Sequence, residues 1–283
     1  MLASFFIQSK NRITANGAAL LGRSLQNCKS KSLTRLVIGE QDLTNGGSGH
    51  GGLLTLASGL NSLHFVSLVG CSIYADGARV LCPMVHNNLM HLNLSMNFLT
   101  DRGAAQLSSQ LRNSLRLAVL KLRGCFIHDD GFGALVDVIF GEWRLRKSQL
   151  KYLDLTGNRI SDKGIQHLNA VCADSIPHGV AADEPFSVNE VRLCDNAITF
   201  AGAKALGAAL AQCSHRTSTL GSTHDETGNP ILGGGKPFIE FLAFESELDL
   251  SGMNGRLDVC HLLESRNVVA EVSARLSSLL GSF

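Results

Sequence analysis

Leu150-Lys-Tyr-Leu153-Asp-Leu155-Thr-Gly-Asn158-Arg-Ile160-Ser-Asp-Lys-Gly164-Ile-Gln-His-Leu168 is the stretch that decides the fold. Its leucines alternate through Leu153 and Leu155, then the chain reaches Asn158, and a Gly and a Leu follow at helical spacing. The same pattern returns as Leu89, Leu92, Leu94, Asn97, Leu99, Gly103, Leu107 and as Leu117, Leu120, Leu122, Cys125, Ile127, Gly131, Leu135. A fourth copy is Val188, Val191, Leu193, Asn196, Ile198, Gly202, Leu206. Self-similarity at a fixed period sets the architecture before any local reading does.

Weaker copies extend the series. One is centred on Gln41 (Leu33, Leu36, Ile38, Leu43) and one on Cys71 (Leu63, Val66, Leu68, Ile73, Gly77, Leu81). A truncated copy surrounds Asn11, with Leu2, Phe5 and Ile7 available as its strand. A degenerate copy, Leu248-Asp249-Leu250-Ser251-Gly252-Met253, is read as the last. Successive slots at 11, 41, 71, 97, 125, 158, 196 and 253 are regular in the middle and spread toward the C-terminus.

Each part of the unit has a mechanical reason. Leu-x-Leu is a short strand with alternate residues facing inward. Thr14, Thr44, Thr100, Ser161 and Thr199 stand three places after the slot, an N-cap position for the helix that follows. Asp101, Asp129, Asp130 and Asp162 place negative charge in the first helical turn. The recurring Gly lets the helix pack closely. Leu at plus ten and an apolar residue near plus fourteen (Leu111, Ile139, Cys172, Leu210) give the helix an inner stripe. One unit cannot bury its own core, so the units must stack.

Seven positions recurring together resemble the leucine-rich repeat family, and the long unit is similar to its ribonuclease-inhibitor-like class. The resemblance implies an α/β solenoid: a curved horseshoe with parallel strands on the concave face and helices on the convex face. It also implies that the Asn or Cys of each slot bonds the backbone of neighbouring repeats. We expect one such domain over 1–283, with repeats over about 1–213, an inserted loop at 214–237, and a degenerate last repeat with a C-terminal cap helix over 238–283.

Composition excludes several classes of function. The chain has 283 residues, 45% apolar and 17% charged, with a formal net charge of +1. That balance gives no direct nucleic-acid signal. No apolar run reaches the length of a membrane span. The eight cysteines occur singly. Cys71 and Cys125 fill the Asn slot, and Cys28 and Cys213 fill late-helix slots, which is core usage and points to a reducing compartment. The segment before Glu40 lacks acidic residues and carries Lys10, Arg12, Arg23, Lys29, Lys31 and Arg35. That composition resembles a mitochondrial transit peptide, but residues 11–28 already match a repeat.

Other departures from the repeat are Asn45-Gly-Gly-Ser-Gly-His-Gly-Gly52, read as a glycine-rich loop, and the lengthened return at 173–187. The apolar stripe Leu262, Leu263, Val269, Val272, Leu276, Leu279 and Leu280 reads as the capping helix. The first strand has no visible cap and presents an edge that a partner or a second copy could cover.

Motifs for chemistry fail. Gly233-Gly-Gly-Lys236-Pro237 lacks the first Gly and final Ser/Thr of a phosphate loop. Gly46-Gly-Ser48-Gly49-His50 is not a nucleophile elbow. Asn93-Leu-Ser95 is a formal glycosylation sequon on a strand. The ten His are scattered. We expect no enzyme, no cofactor and no metal site.

Binding is expected on outward strand residues. Three columns follow from the repeat: Arg35, Phe65, His91, Val119, Tyr152, Glu190, Glu247; Val37, Ser67, Asn93, Lys121, Asp154, Arg192, Asp249; and Gly39, Val69, Ser95, Arg123, Thr156, Cys194, Ser251. Phe65, His91, Lys121, Arg123, Tyr152, Asp154 and Arg192 form an aromatic–basic set of the kind that anchors protein interfaces. The charge turns acidic toward Glu190, Glu247 and Asp249. The expectation is a non-enzymatic protein-binding scaffold within a multi-subunit intracellular assembly. A cytoplasmic or flagellar location is favoured, in a ciliary or flagellar axoneme. The alternatives are a mitochondrial complex subunit or assembly factor, or a regulator of a GTPase or other enzyme.

Overall fold

The structure is a computed structural model. It describes residues 3–7, 11–27, 33–47, 50–60, 62–82, 88–112, 114, 116–141, 150–175, 190–193, 195–199, 201–203, 205–206 and 241–243. Strand and helix alternate along the chain: β1 Ala3–Ile7, α1 Ala15–Asn27, β2 Leu33–Gly39, α2 His50–Gly59, β3 Phe65–Val69, α3 Ala75–Leu81, β4 His91–Asn93 and α4 Thr100–Leu111. Then come β5 Val119–Lys121, α5 Asp129–Val136 with a wider π turn over Asp137–Gly141, β6 Tyr152–Asp154, α6 Asp162–Ser175, β7 Glu190–Arg192 and β8 Phe241–Ala243.

The eight strands form one parallel sheet in chain order. Parallel neighbours need a crossover, and each α-helix supplies one. Strands stack about 4.8 Å apart, whereas packed helices need about 8–10 Å, so the sheet lies on the inside of the curve. The register follows the repeat. Leu36, Val66, Leu92, Leu120, Leu153 and Val191 align across β2 to β7, and all are buried. Phe5 pairs with Leu36 and Ile7 with Ile38, so the expected first strand is formed over Ala3–Ile7, and Leu2 lies outside the described residues.

The core is one continuous column between sheet and helices. Leu68, Leu94, Leu122, Leu155 and Leu193 close it from the strands, and Ile73, Leu99, Ile127, Ile160 and Ile198 close it just after the ladder slot. Leu81, Leu107, Leu135 and Leu168 close it from the helices. The plus-fourteen residues Leu111 and Ile139 are also buried, whereas the side chain of Cys172 and all of Leu210 lie outside the described residues.

Two expectations are corrected. The eighth strand is Phe241-Leu242-Ala243, with Leu242 in register with Val191, and not the segment around Leu248-Asp249-Leu250. In that register Phe241 pairs with Glu190 and Ala243 with Arg192, so Phe241 takes the lattice place expected for Glu247 and Ala243 that of Asp249. The glycine-rich stretch is also shorter as a loop than it reads, because His50-Gly51-Gly52 open α2. A Cβ on Gly52 would lie 1.9 Å from the Ala15 carbonyl oxygen, and one on Gly22 would lie 2.2 Å from that of Thr55. Glycine here serves backbone-to-backbone approach of α1 and α2. The insertion 214–237, the capping stripe of 257–283, and Cys28 and Cys213 lie outside the described residues.

Candidate functional site: the strand face and its rim

The site rests on a ladder that runs along the ends of β2 to β7. Asn97 Oδ1 accepts the amides of Cys71 and Ile73 at 2.9 and 3.0 Å. Its Nδ2 donates to the carbonyls of Leu68, Leu94 and Ser95. Asn158 repeats this two turns on, accepting from Cys125 and Ile127 and donating to Leu122 and Leu155. Asn196 accepts from Ile160 and donates to Leu155 and Leu193. Gln41 does the same work with a longer reach, accepting from Ile13 and donating to Gly39.

Cysteine in the slot is a donor without the acceptor. Cys71 Sγ points at the Ile38 and Val69 carbonyls, and Cys125 Sγ lies 3.2 Å from that of Leu94. Burial pushes both thiols up to about 12, against weaker lowering by neighbouring backbone hydrogen bonds. Cys82 is pushed up to about 11 for the same reason, with Arg79 pulling weakly the other way. All three are free thiols that stay protonated and inert.

A second ladder joins the helix starts. Asp101 Oδ1 accepts the amides of His128 and Gly131. Asp129 accepts the amide and hydroxyl of Ser161 and the amide of Gly164. Asp162 accepts the amide and hydroxyl of Thr199. Each aspartate therefore caps the helix of the next repeat. The recurring Gly is what admits it, since a Cβ on Gly131, Gly164 or Gly202 would fall 2.6, 2.8 or 2.1 Å from the incoming carboxylate oxygen.

The Ser/Thr caps are only partly as expected. Ser161 and Thr199 accept the amides two residues on. The start of α4 has no side-chain cap, and Thr44 closes a turn onto Gly47 ahead of α2.

On this frame the outward strand residues form the expected lattice. Arg35, Phe65, His91, Val119, Tyr152 and Glu190 are in register across β2 to β7, as are Val37, Ser67, Asn93, Lys121, Asp154 and Arg192. The Arg35 guanidinium carbon lies 3.8 Å from the Phe65 ring centroid. Phe65 stacks on His91 with centroids 4.1 Å apart and an interplanar angle of 19°. Lys121 Nζ and Arg192 Cζ approach the Tyr152 ring to 5.4 and 5.5 Å.

Asp154 accepts the amide of Thr156, and Asn93 accepts that of Ser95, so both side chains are tied down at the strand ends. Arg123 stands two residues beyond Lys121, its amide on Ser95 Oγ and its side chain exposed. Burial lowers the pKa of His91 to about 4, and Lys121 and then Arg35 push it the same way. The ring is thus neutral at physiological pH and sits in a positive field. The Glu190 side chain, Cys194, Glu247, Asp249 and Ser251 lie outside the described residues.

The structure adds a feature that the column reading missed. Tyr74 stacks on Phe98 at 5.1 Å and Phe98 on Phe126 at 5.5 Å. Arg159 Cζ lies 5.4 Å from the Phe126 ring. These residues run across four repeats along the rim where the strands end. The rings are 37%, 43% and 40% exposed, and the neighbouring Met96 is 58% exposed.

Phe126 holds φ +59° and Met96 φ +60°, a left-handed backbone that bulky residues adopt at a cost. The signal was present in sequence: the position right after the ladder residue reads Phe98, Phe126, Arg159 in succession.

For chemistry the face offers stacking and charge. Among the described residues no group of three or more His, Cys, Asp or Glu is placed to hold a metal ion. His167 Nε2 lies 2.7 Å from Asp137 Oδ1 on the helical side, where the pair ties α6 to the π turn after α5, and His128 Nδ1 lies 3.7 Å from Asp101 Oδ2 at the start of α5. No described helix is long and apolar enough to cross a membrane.

A family comparison agrees with the repeat. The family described as Leucine Rich repeat matches residues 85–108 and 148–168. Among solved structures, an internalin of Listeria monocytogenes is similar at 18% identity and a TM-score of 0.37. That match covers 64% of this chain, which spans 46% of the internalin.

Proposed function

We propose that this chain, a leucine-rich-repeat protein, is a non-enzymatic protein-binding scaffold whose partner lies on the strand face. The observation that carries the reading is the stack Arg35–Phe65–His91 in one column and, further along it, Tyr152 flanked by Lys121 and Arg192 from the neighbouring column, on strands held in register by the ladder beneath. Rings and guanidinium groups on rigid strands lose little entropy on binding, which is why aromatic and Arg anchors dominate interface energetics. The finer proposal is a subunit of a larger intracellular assembly, with a ciliary or flagellar axoneme favoured. The similarity of the repeat to the ribonuclease-inhibitor-like class supports it.

Replacing Tyr152 and Arg123 by Ala and measuring partner capture from the source cell tests the proposal. Reduced capture with an unchanged melting temperature is expected. Undiminished capture would move the binding surface to the helical side, the 214–237 segment or an end of the solenoid.

A further inference from the structure

The rim beside the strand face is a row of evenly spaced members. Tyr74 and Phe98 lie 5.1 Å apart with planes 19° from parallel, and Phe98 and Phe126 lie 5.5 Å apart at 16°. The Arg159 guanidinium carbon stands a third such step away, 5.4 Å from the Phe126 ring. Each ring turns its faces to its neighbours, and the Gly47 backbone closes the outer face of Tyr74, where an added Cβ would fall 2.8 Å from the ring. What meets solvent is therefore a line of ring edges, with the largely exposed Met96 alongside. Among the described residues neither the Tyr74 hydroxyl nor the Arg159 guanidinium has a hydrogen-bond partner. Phe126 and Met96 both hold left-handed backbone. Bulky residues adopt it at a cost, and such strain under an exposed apolar side chain points to a use outside the fold.

From this we infer that a second copy of this chain covers the rim, the two rows running antiparallel about a two-fold axis between Phe98 and Phe126. The near-equal steps make the row fit its own reverse. Phe98 then meets Phe126 of the second copy, and Arg159 meets Tyr74 of the second copy, where the guanidinium donates to the phenol oxygen. A two-fold interface needs this self-complementarity, residue i on residue j and j on i. Charge does not oppose it, since 25 Lys and Arg stand against 24 Asp and Glu and two copies meet with little repulsion. A fully covered aromatic side chain buries about 150–250 Å², so the two-fifths exposed on each ring, with Met96, amounts to on the order of 300 Å² per copy. A stable dimer buries about 800 Å² per partner. The rim thus supplies the apolar centre of a weak dimer, and the two Arg159–Tyr74 contacts stand at its polar edges.

The test is sedimentation velocity of the full chain from low to high micromolar concentration. A monomer that passes to a dimer as concentration rises is expected. Phe126→Gly and Phe98→Ser should each weaken the dimer at least about tenfold. Tyr74→Lys alone sets cation against cation and should weaken it likewise, as should Arg159→Glu alone. Tyr74→Lys together with Arg159→Glu should restore it, and the restored dimer should weaken as salt rises. The two positions stand at opposite ends of the row, so they can compensate each other only between copies. Benzoylphenylalanine at Phe98 gives a readout that needs no destabilising change, and its self-crosslink should map to the segment around Phe126.

A monomer at every concentration, with no self-crosslink from Phe98, overturns the inference. So does a dimer that Phe126→Gly and Phe98→Ser leave unchanged. Failure of the paired substitutions to restore what each removes overturns the antiparallel pairing. Tyr152→Ala should leave the dimer intact, and its loss there would place the contact between copies on the strand face and not on the rim.

Discussion

Asp129 caps a helix that is not its own: its carboxylate accepts the amide of Ser161 at 2.8 Å and the Ser161 hydroxyl at 2.7 Å, one repeat further on. With Asp101 and Asp162 it makes the solenoid's helical side a chain of reciprocal starts, each repeat completing the next. Repeat proteins draw stability from such nearest-neighbour terms.

The first prediction concerns pH. Burial alone would raise the Asp129 pKa, but the Ser161 amide and hydroxyl, the Gly164 amide and Lys163 outweigh it and hold it below its ordinary value. A carboxyl depressed in the folded state stabilises fully above its unfolded pKa, ~3.9, and loses that contribution as pH falls through the folded value. Asp129→Asn keeps an acceptor oxygen and removes the charge, so it should cost about 0.5 kcal/mol at neutral pH, the typical worth of a negative charge at a helix N-terminus. The gap from wild type should narrow as pH falls below the unfolded value and close once it passes the depressed folded one. Urea midpoints across pH check this, and a constant gap would contradict it.

The second concerns the inner ladder. Asn97 makes five hydrogen bonds in a site closed to water. Asn97→Ala strands the Cys71 and Ile73 amides and the Leu68 carbonyl, while the Ser95 and Leu94 carbonyls keep the Gly70 amide and the Cys125 thiol, and it should cost about 3 kcal/mol or more, since each buried unpaired group costs ~1–3 kcal/mol before relaxation. Asn97→Cys should recover part of the loss, because a thiol restores the donor, as Cys125 does toward Leu94, and not the acceptor. Equal midpoints for the Ala and Cys variants would refute the donor argument.

The inner half of this architecture was legible in sequence because it follows two short rules. Alternation along a strand marks Leu153 and Leu155 as inward and Tyr152 and Asp154 as outward, and one shared slot aligns the strands. What escaped depends on contacts between repeats. The partner of Asp129 is 32 residues away in sequence, and nothing local to either residue announces it. The Tyr74–Phe98–Phe126 rim escaped because it lies off the strand alternation, on backbone that has already turned. The last strand was misplaced where the spacing between slots breaks down, leaving two apolar segments of similar pattern. At Gly51-Gly52, composition read as a loop, but packing against Ala15 overrides it and keeps the segment helical.

The third prediction concerns thiol reactivity. Cys71 and Cys125, pushed up to about 12 by burial, should resist iodoacetamide in the native protein at about pH 8 and react only on unfolding. Site-resolved mass spectrometry reads each cysteine separately. Labelling of Cys125 at the rate of a free thiol, without denaturant, would show that the ladder opens.

The fourth separates strain from binding at the rim. Phe126 sits at φ +59°, where an L-residue costs roughly 1–2 kcal/mol and Gly costs nothing. Phe126→Gly should thus be more stable than Phe126→Ala by about 1 kcal/mol, the reverse of the usual order. If the rim belongs to the binding surface, both variants should weaken partner capture equally. Ala more stable than Gly would mean that the backbone there relaxes.

The most direct measurement is site-specific photo-crosslinking in the source cell. Benzoylphenylalanine is placed at Tyr152 on the strand face and, in a second protein, at Leu54, an exposed position of α2 on the helical side. The strand-face position should yield a discrete crosslinked partner, and Leu54 should yield none. A partner captured from Leu54 and not from Tyr152 would contradict the assignment of the strand face as the binding surface.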